Sequence, residues 1–151
     1  MVTLIETCRI GEIMTQNPLT VRPDTTIVQL GRLFEMHACN MFPVINDRGV
    51  LQGVVTTLDL LKICRPWSGR ITADLRALWS EQVEDIMSRG VTSVTPEEPV
   101  ATALTLMVSR RVRSLPVVQR KTRETVLVGI VSRSDVLKCL VLDESEDPVL
   151  R

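Results

Sequence analysis

The chain is written twice. Ile13-Met14 recurs as Ile86-Met87, Val21-x-Pro23 as Val94-x-Pro96, Leu33 as Leu106 and Pro43-Val44 as Pro116-Val117, all at a spacing of 73. Gly53-Val-Val-Thr-Thr-Leu-Asp59 then recurs as Gly129-Ile-Val-Ser-Arg-Ser-Asp135 at a spacing of 76, so the second copy carries three extra residues between Pro116 and Gly129. An internal repeat sets the architecture before any other signal does. The copies span 10–64 and 83–142, with a connector at 65–82 and an acidic tail at 143–151. Each copy is about 55 residues, and a domain below about 60 residues is marginal alone. The expectation is therefore one α+β domain in which the two repeats pack through their sheets about a pseudo-twofold axis. An apolar fraction of 44% supplies the core, and with zero net charge it excludes disorder over most of the chain.

Each copy reads β-α-β-β-α. Leu19-Thr20-Val21 is a short strand closed by Pro23. Asp24 or Thr25 caps a helix whose inward face is Ile27, Leu30, Leu33, Phe34 and Ala38. Pro43 precedes a strand at Val44-Ile45, Asn46-Asp47-Arg48-Gly49 is a turn, and Val50 to Val55 is a buried strand. Thr56 opens a second helix with Leu60, Leu61 and Cys64 inward. In the second copy, Val100, Ala103, Leu106 and Met107 lie on the first helix, and Val136, Leu137 and Leu140 on the second. In the connector, Pro66 and Gly69 break the chain before a helix over Thr72–Ser80. Trp67 and Trp79 both fall here, covered either by the domain itself or by a partner. The acidic tail is expected to fray.

Several function classes drop out. No apolar run approaches the roughly 20 residues that span a bilayer. The N-terminal stretch lacks a basic leader, so the expected location is the cytoplasm. Cys8, Cys39, Cys64 and Cys139 are scattered, with no CxxC; they read as reduced, mostly buried thiols, and no metal site is expected. His37 stands alone on the first helix, its counterpart being Arg110. Without a nucleophile elbow, Walker loop or GxGxxG, the chain does not read as an enzyme. Glu97-Glu98 suits a helix start, where the dipole favours negative charge.

The repeated tetrads Thr56-x-x-Asp59 and Ser132-x-x-Asp135 allow two readings. As capping boxes, the hydroxyl accepts a backbone N–H three residues on and the acid reaches back. As binding elements, a hydroxyl at a helix N-terminus holds phosphate, and an aspartate one turn on accepts from both hydroxyls of a ribose. Gly53 and Gly129 permit close approach of a ligand or of another backbone segment.

Charge is distributed unevenly despite the neutral total. Between Thr105 and Lys138 lie Arg110, Arg111, Arg113, Arg120, Lys121, Arg123, Arg133 and Lys138, opposed only by Glu124 and Asp135. One reading is a solvated helix face with a charged hairpin. The other brings Arg113 and Arg133 onto a phosphate beside Ser132 and Asp135. The first copy has Asn40, Met41 and Thr57 where the second has Arg113, Ser114 and Arg133. Nucleic-acid binding through this basic stretch is disfavoured, because four aromatic residues leave little to stack on bases.

The ordered pattern I-M, then V-x-P, a helix, h-P-V-h and G-h-h-T/S-x-x-D, found twice, resembles the CBS domain, named after cystathionine beta-synthase. The resemblance covers 10–64 and 83–142 and implies a stand-alone tandem pair with two clefts between the repeats. It implies binding of AMP, ADP, ATP or S-adenosylmethionine as a regulatory ligand, with no other cofactor. Asp59 and Asp135 would then meet ribose, and Thr56 and Ser132 the phosphate. Leu19, Thr20, Met41, Thr92, Ser93 and Ser114 would line the adenine pocket, with Ile130 placed among them. Arg113 and Arg133 would meet phosphate, whereas Asn40 departs from that pattern. The resemblance further implies a homodimer, a disc of four repeats. A regulated enzyme or transporter would be a separate chain, and the alternative is a ligand-free dimerisation scaffold.

Overall fold

The computed structural model describes residues 4–63 and 81–144. Cys64, Trp67, Trp79, the expected helix over Thr72–Ser80 and residues 145–151 lie outside the described residues. The described elements run α1 (Leu4–Thr7), α2 (Ile10–Ile13), β1 (Thr15–Gln16), α3 (Ile27–Met36), β2 (Met41–Ile45), β3 (Leu51–Thr56), α4 (Thr57–Ile63), α5 (Val83–Ile86), α6 (Val100–Arg110), β4 (Ser114–Lys121), β5 (Glu124–Ser132) and α7 (Arg133–Glu144). This is the mixed α/β order expected from the repeats, and α7 continues through Asp143 and Glu144, which the sequence reading assigned to the tail.

The chain divides into two compact units, but not at the boundary between the sequence repeats. One unit combines Met1–Pro18 with Thr92–Arg151, and the other is Leu19–Val91. The opening segment of each repeat therefore completes the body of the other. In the unit 19–91, the Val83 N–H donates to Thr25 O at 2.8 Å and the Glu84 N–H to Pro23 O at 3.0 Å. In the unit built from 1–18 and 92–151, the Ile10 N–H donates to Glu98 O and the Gly11 N–H to Pro96 O, both at 2.9 Å. These are the same bonds 73 residues apart.

Each unit has its own buried cluster. In 19–91 it is Val21, Leu30, Phe42, Val44, Val55 and Val83, with Phe34 tilted against Phe42 at a ring separation of 4.8 Å. In the other it is Ile10, Val94, Val100, Ala103, Met107, Leu115, Val117, Val131, Val136 and Cys139. Ile10 and Val83, the corresponding residues of the two opening segments, are both fully buried. The exchanged segments thus supply core.

The sheets follow the same plan. β2 pairs antiparallel with β3, and β4 pairs antiparallel with β5, which also carries β1. The expected first strands shrink to single parallel bridges, Val21 to Val44 and Val94 to Val117. The Val21 N–H donates to Pro43 O and its carbonyl accepts from the Ile45 N–H, both at 3.0 Å. The next bond on one side would need an N–H from Pro43 and on the other an N–H from Pro23, and proline has none. Pro116 and Pro96 stop the ladder in the same way around Val94. Pro43 sits inside β2 rather than before it, tolerated because its nitrogen faces this nearly unpaired side.

Other local expectations shift by a residue or a face. The cap of α3 is Thr26, not Asp24 or Thr25: its Oγ1 accepts from the Gln29 N–H, and the Gln29 side chain accepts from the Thr26 N–H. The helix stops at Met36, so His37 is its C-cap and Ala38 lies beyond it. Asn46 Oδ1 accepts from the N–H groups of Arg48 and Val50, and Gly49 takes φ 76°, which makes the expected turn. Leu60 and Val136 face inward, but Leu61 is 65% exposed and Leu137 57%, and Leu140 is also exposed. On α7 the inward position after Val136 is Cys139, one turn on.

Candidate functional site

Both tetrads form at the junction of a strand and the helix after it. Thr56 ends β3, and Asp59 lies in the first turn of α4. Asp59 Oδ2 accepts from the Thr56 N–H at 2.8 Å and from Thr56 Oγ1 at 2.9 Å, and the Asp59 N–H donates to Thr56 Oγ1 at 3.2 Å. The Ser132–Asp135 pair repeats this at 2.8, 2.9 and 3.3 Å. Both are therefore complete capping boxes. In each box every one of these bonds to the acid ends on Oδ2. Among the described residues, Oδ1 of Asp59 and of Asp135 takes no hydrogen bond. Capping and ligand binding thus use different oxygens of one carboxylate.

A second bond fixes what stands beside each box. The Thr57 N–H donates to Asn40 O at 3.1 Å, and the Arg133 N–H to Arg113 O at 3.0 Å. The residue opening each second helix is clasped to the residue just before the h-P-V strand. Register then sets Met41 opposite Thr56 and Ser114 opposite Ser132. In the unit 19–91, Met41, Thr56 and Asp59 come together around a helix start. Leu19 and Thr20 precede Val21, which bridges to β2 on the side away from β3. In the other unit, Arg113, Ser114, Ser132, Arg133 and Asp135 gather, and Thr92 and Ser93 precede the bridging Val94. Ile130 sits mid-strand, opposite Pro116 on one side and Thr15 on the other.

The electrostatic difference between the units is now local. Arg113 and Arg133 flank one box, and Asn40 and Thr57 the other. Arg133 Nε donates to Val112 O at 3.1 Å, which pins that guanidinium at the helix start and leaves its terminal nitrogens for an anion. Lys138 lies one turn beyond Asp135 on α7, and the remaining basic residues separate from the box along the chain. Arg110 and Arg111 end α6, where positive charge meets the helix dipole, and Arg120, Lys121 and Arg123 surround a turn at Thr122 with φ 43°. Lys121 lies opposite Glu124 across that hairpin.

The two glycines are taken up by backbone. A β-carbon on Gly53 would stand 2.6 Å from Ser88 O, and one on Gly129 would stand 2.8 Å from Thr15 O. Val54 and Ser88 exchange N–H···O bonds of 3.0 and 2.9 Å, and Gln16 lies opposite Gly129 in register. Of the two readings of these glycines, the structure realises close approach of a chain segment, in each case the exchanged one.

Sequence reasoning missed two groups. The Thr26-x-x-Gln29 box was visible as T-x-x-Q. The meeting of Cys8 with Cys139 had no signal, being long-range. Burial raises both thiols above 9.0; the neighbouring Glu12 carboxylate raises Cys8 further, and Asp135 adds to the rise at Cys139. Cys39 is also raised by burial, against a backbone hydrogen bond from Met41 that lowers it. Among the described residues, no group of three or more His, Cys, Asp or Glu side chains could hold a metal, and no helix is long and apolar enough to cross a membrane.

The CBS domain family model matches residues 10–65 and 83–142. The chain belongs to the CBS domain family, as a tandem pair. It is 30% identical over 141 residues to the CBS domain-containing protein YhcV of Bacillus subtilis, covering 93% of this chain and 91% of that one. It is 30% identical over 127 residues to homoserine O-acetyltransferase of Methanococcoides burtonii, covering 84% of this chain but only 23% of that enzyme. Among solved structures, it matches CBSX2 in complex with AMP at TM-score 0.74 and 26% identity, covering 89% of this chain and 97% of that one. The acetoin utilization protein AcuB of Vibrio cholerae, itself assigned only provisionally, matches at TM-score 0.75 and 26% identity, covering 93% and 98%.

Proposed function

We infer that this chain is a regulatory module that binds an adenine nucleotide at the Ser132–Asp135 box and signals occupancy to a separate protein. The observation that carries this reading is the division of labour within Asp135. Its Oδ2 completes the cap, while Oδ1 stays available at a helix start flanked by Arg113 and Arg133. A carboxylate oxygen suits ribose hydroxyls, and two guanidinium groups suit a phosphate. The similarity to CBSX2 in complex with AMP supports the same ligand class. The Thr56–Asp59 box has the same cap without the cations, so it suits the nucleoside portion better than the phosphate. The match to one part of a much longer acetyltransferase supports a role as a module that serves an enzyme. Binding then acts by population shift, favouring the arrangement the ligand prefers.

The test is a thermal-shift titration with AMP, ADP, ATP and S-adenosylmethionine on the native chain, Asp59→Ala and Asp135→Ala. A ligand at 100 times its Kd stabilises the folded state by about 2.7 kcal/mol. Both variants lose an equivalent cap, so their intrinsic melting temperatures fall alike. The expected result is that the nucleotide-induced rise survives in Asp59→Ala and disappears in Asp135→Ala. An equal rise in all three proteins overturns the site.

A second reading, self-association, has its own observation. Leu58 and Leu61 are exposed on α4, and Leu137 and Leu140 on α7, each pair three residues apart on its helix. Apolar pairs left on two helices fit contact with a second copy of the chain. This is compatible with ligand binding and is tested separately below.

A further inference from the structure

Cys8 lies between α1 and α2, in the opening segment of the first repeat. Its carbonyl accepts from the Val100 N–H at 3.0 Å, so its backbone is fixed at the start of α6. Its side chain packs against the cluster that contains Cys139, which is 3% exposed on α7. The two side chains meet in that cluster, and the Glu12 carboxylate stands beside Cys8. Cys8 is partly open to solvent and Cys139 is not. An accessible thiol thus stands beside a second one that can resolve it, and because burial raises both, the reactive thiolate forms in alkali.

We propose that Cys8 and Cys139 form a reversible disulfide that staples the exchanged opening segment to α7. With a peroxide as oxidant, the Cys8 thiolate attacks one oxygen, the O–O bond breaks, and Cys8 sulfenic acid and hydroxide result. The Cys139 sulfur then displaces hydroxide from Cys8; its proton and that hydroxide leave as water. Two thiols are oxidised by two electrons in all, and one hydrogen peroxide becomes two waters. A small dithiol reverses the change by exchange, leaving as its own disulfide. The bond closes the chain from residue 8 to residue 139. It holds α1, α2 and β1 on the unit whose α7 carries Asp135, four residues before Cys139. Nothing here depends on nucleotide binding.

The experiment treats the full chain, with Cys39 and Cys64 replaced by serine, with hydrogen peroxide at about pH 9, where the thiolate forms, and maps it with trypsin under non-reducing conditions. Cleavage after Arg9 and Lys138 isolates each cysteine, so the expected product is peptide 1–9 joined to peptide 139–151 within one chain. The intact protein should lose two hydrogen masses. Its melting temperature should rise on oxidation and return with dithiothreitol, and Cys8→Ser should abolish that rise while staying folded. Only oxygen adducts on Cys8, or links only between two chains, would overturn the proposal, as would an oxidised Cys8→Ser that is stabilised equally.

Discussion

The carbonyl oxygen of Ser88 lies 2.6 Å from where a β-carbon on Gly53 would stand, and that of Thr15 stands 2.8 Å from the same position on Gly129. Two glycines in equivalent places are required by two backbone segments that come from the other repeat. Gly53→Ala and Gly129→Ala should each destabilise by about 1–3 kcal/mol, since backbone leaves no room for adjustment. Gly90→Ala, with open space around it, is the control. Urea denaturation distinguishes them.

The capping boxes make a prediction independent of any ligand. Thr26→Ala, Thr56→Ala and Ser132→Ala each remove a hydroxyl that accepts a helix N–H. Each should cost about 1 kcal/mol in chemical denaturation.

Stability should also decline in alkali. Cys8, Cys39 and Cys139 all have folded values above 9.0, chiefly through burial. A raised thiol binds its proton more tightly when folded than when unfolded. Its contribution is complete below the unfolded value and is lost as the pH rises through the folded one. The melting temperature should therefore fall from about pH 9 upward under reducing conditions, and Cys39→Ala should flatten that slope.

Self-association has a direct check. Leu61→Asp and Leu137→Asp replace exposed apolar side chains, so monomer stability should change by about 0.5 kcal/mol or less. Sedimentation equilibrium should show a dimer for the native chain and a monomer for the double variant. Leu30→Ala, on a fully buried residue, should instead cost about 2–5 kcal/mol whatever the oligomeric state.

Much of this molecule was legible in the sequence because repetition is a long-range signal that local noise does not erase. The tetrads, the h-P-V strands and the asymmetry of Arg113 and Arg133 against Asn40 and Thr57 were all readable as paired positions. Segment exchange was not readable. Nothing local in the sequence says which stretch of chain buries Ile10 and Val83. Leu61 and Leu137 were assigned inward because an apolar residue three or four positions along a short helix fits either of two faces. The Val21 and Val94 strands failed for a reason that was on the page: the prolines that mark the motif also remove the N–H groups a longer ladder needs.

Residues 4–16 leave the ribosome before the stretch 19–91, yet the β5 strand and α7 helix they pack against are synthesised after it. The segment 19–91 forms a compact unit of its own and is free to close first. The earlier-made segment is thus satisfied after the later-made one. Until α7 emerges, its apolar residues Ile5, Ile10 and Ile13 have nothing of their own unit's far side to cover them, and a chaperone meeting this nascent chain would find its substrate there.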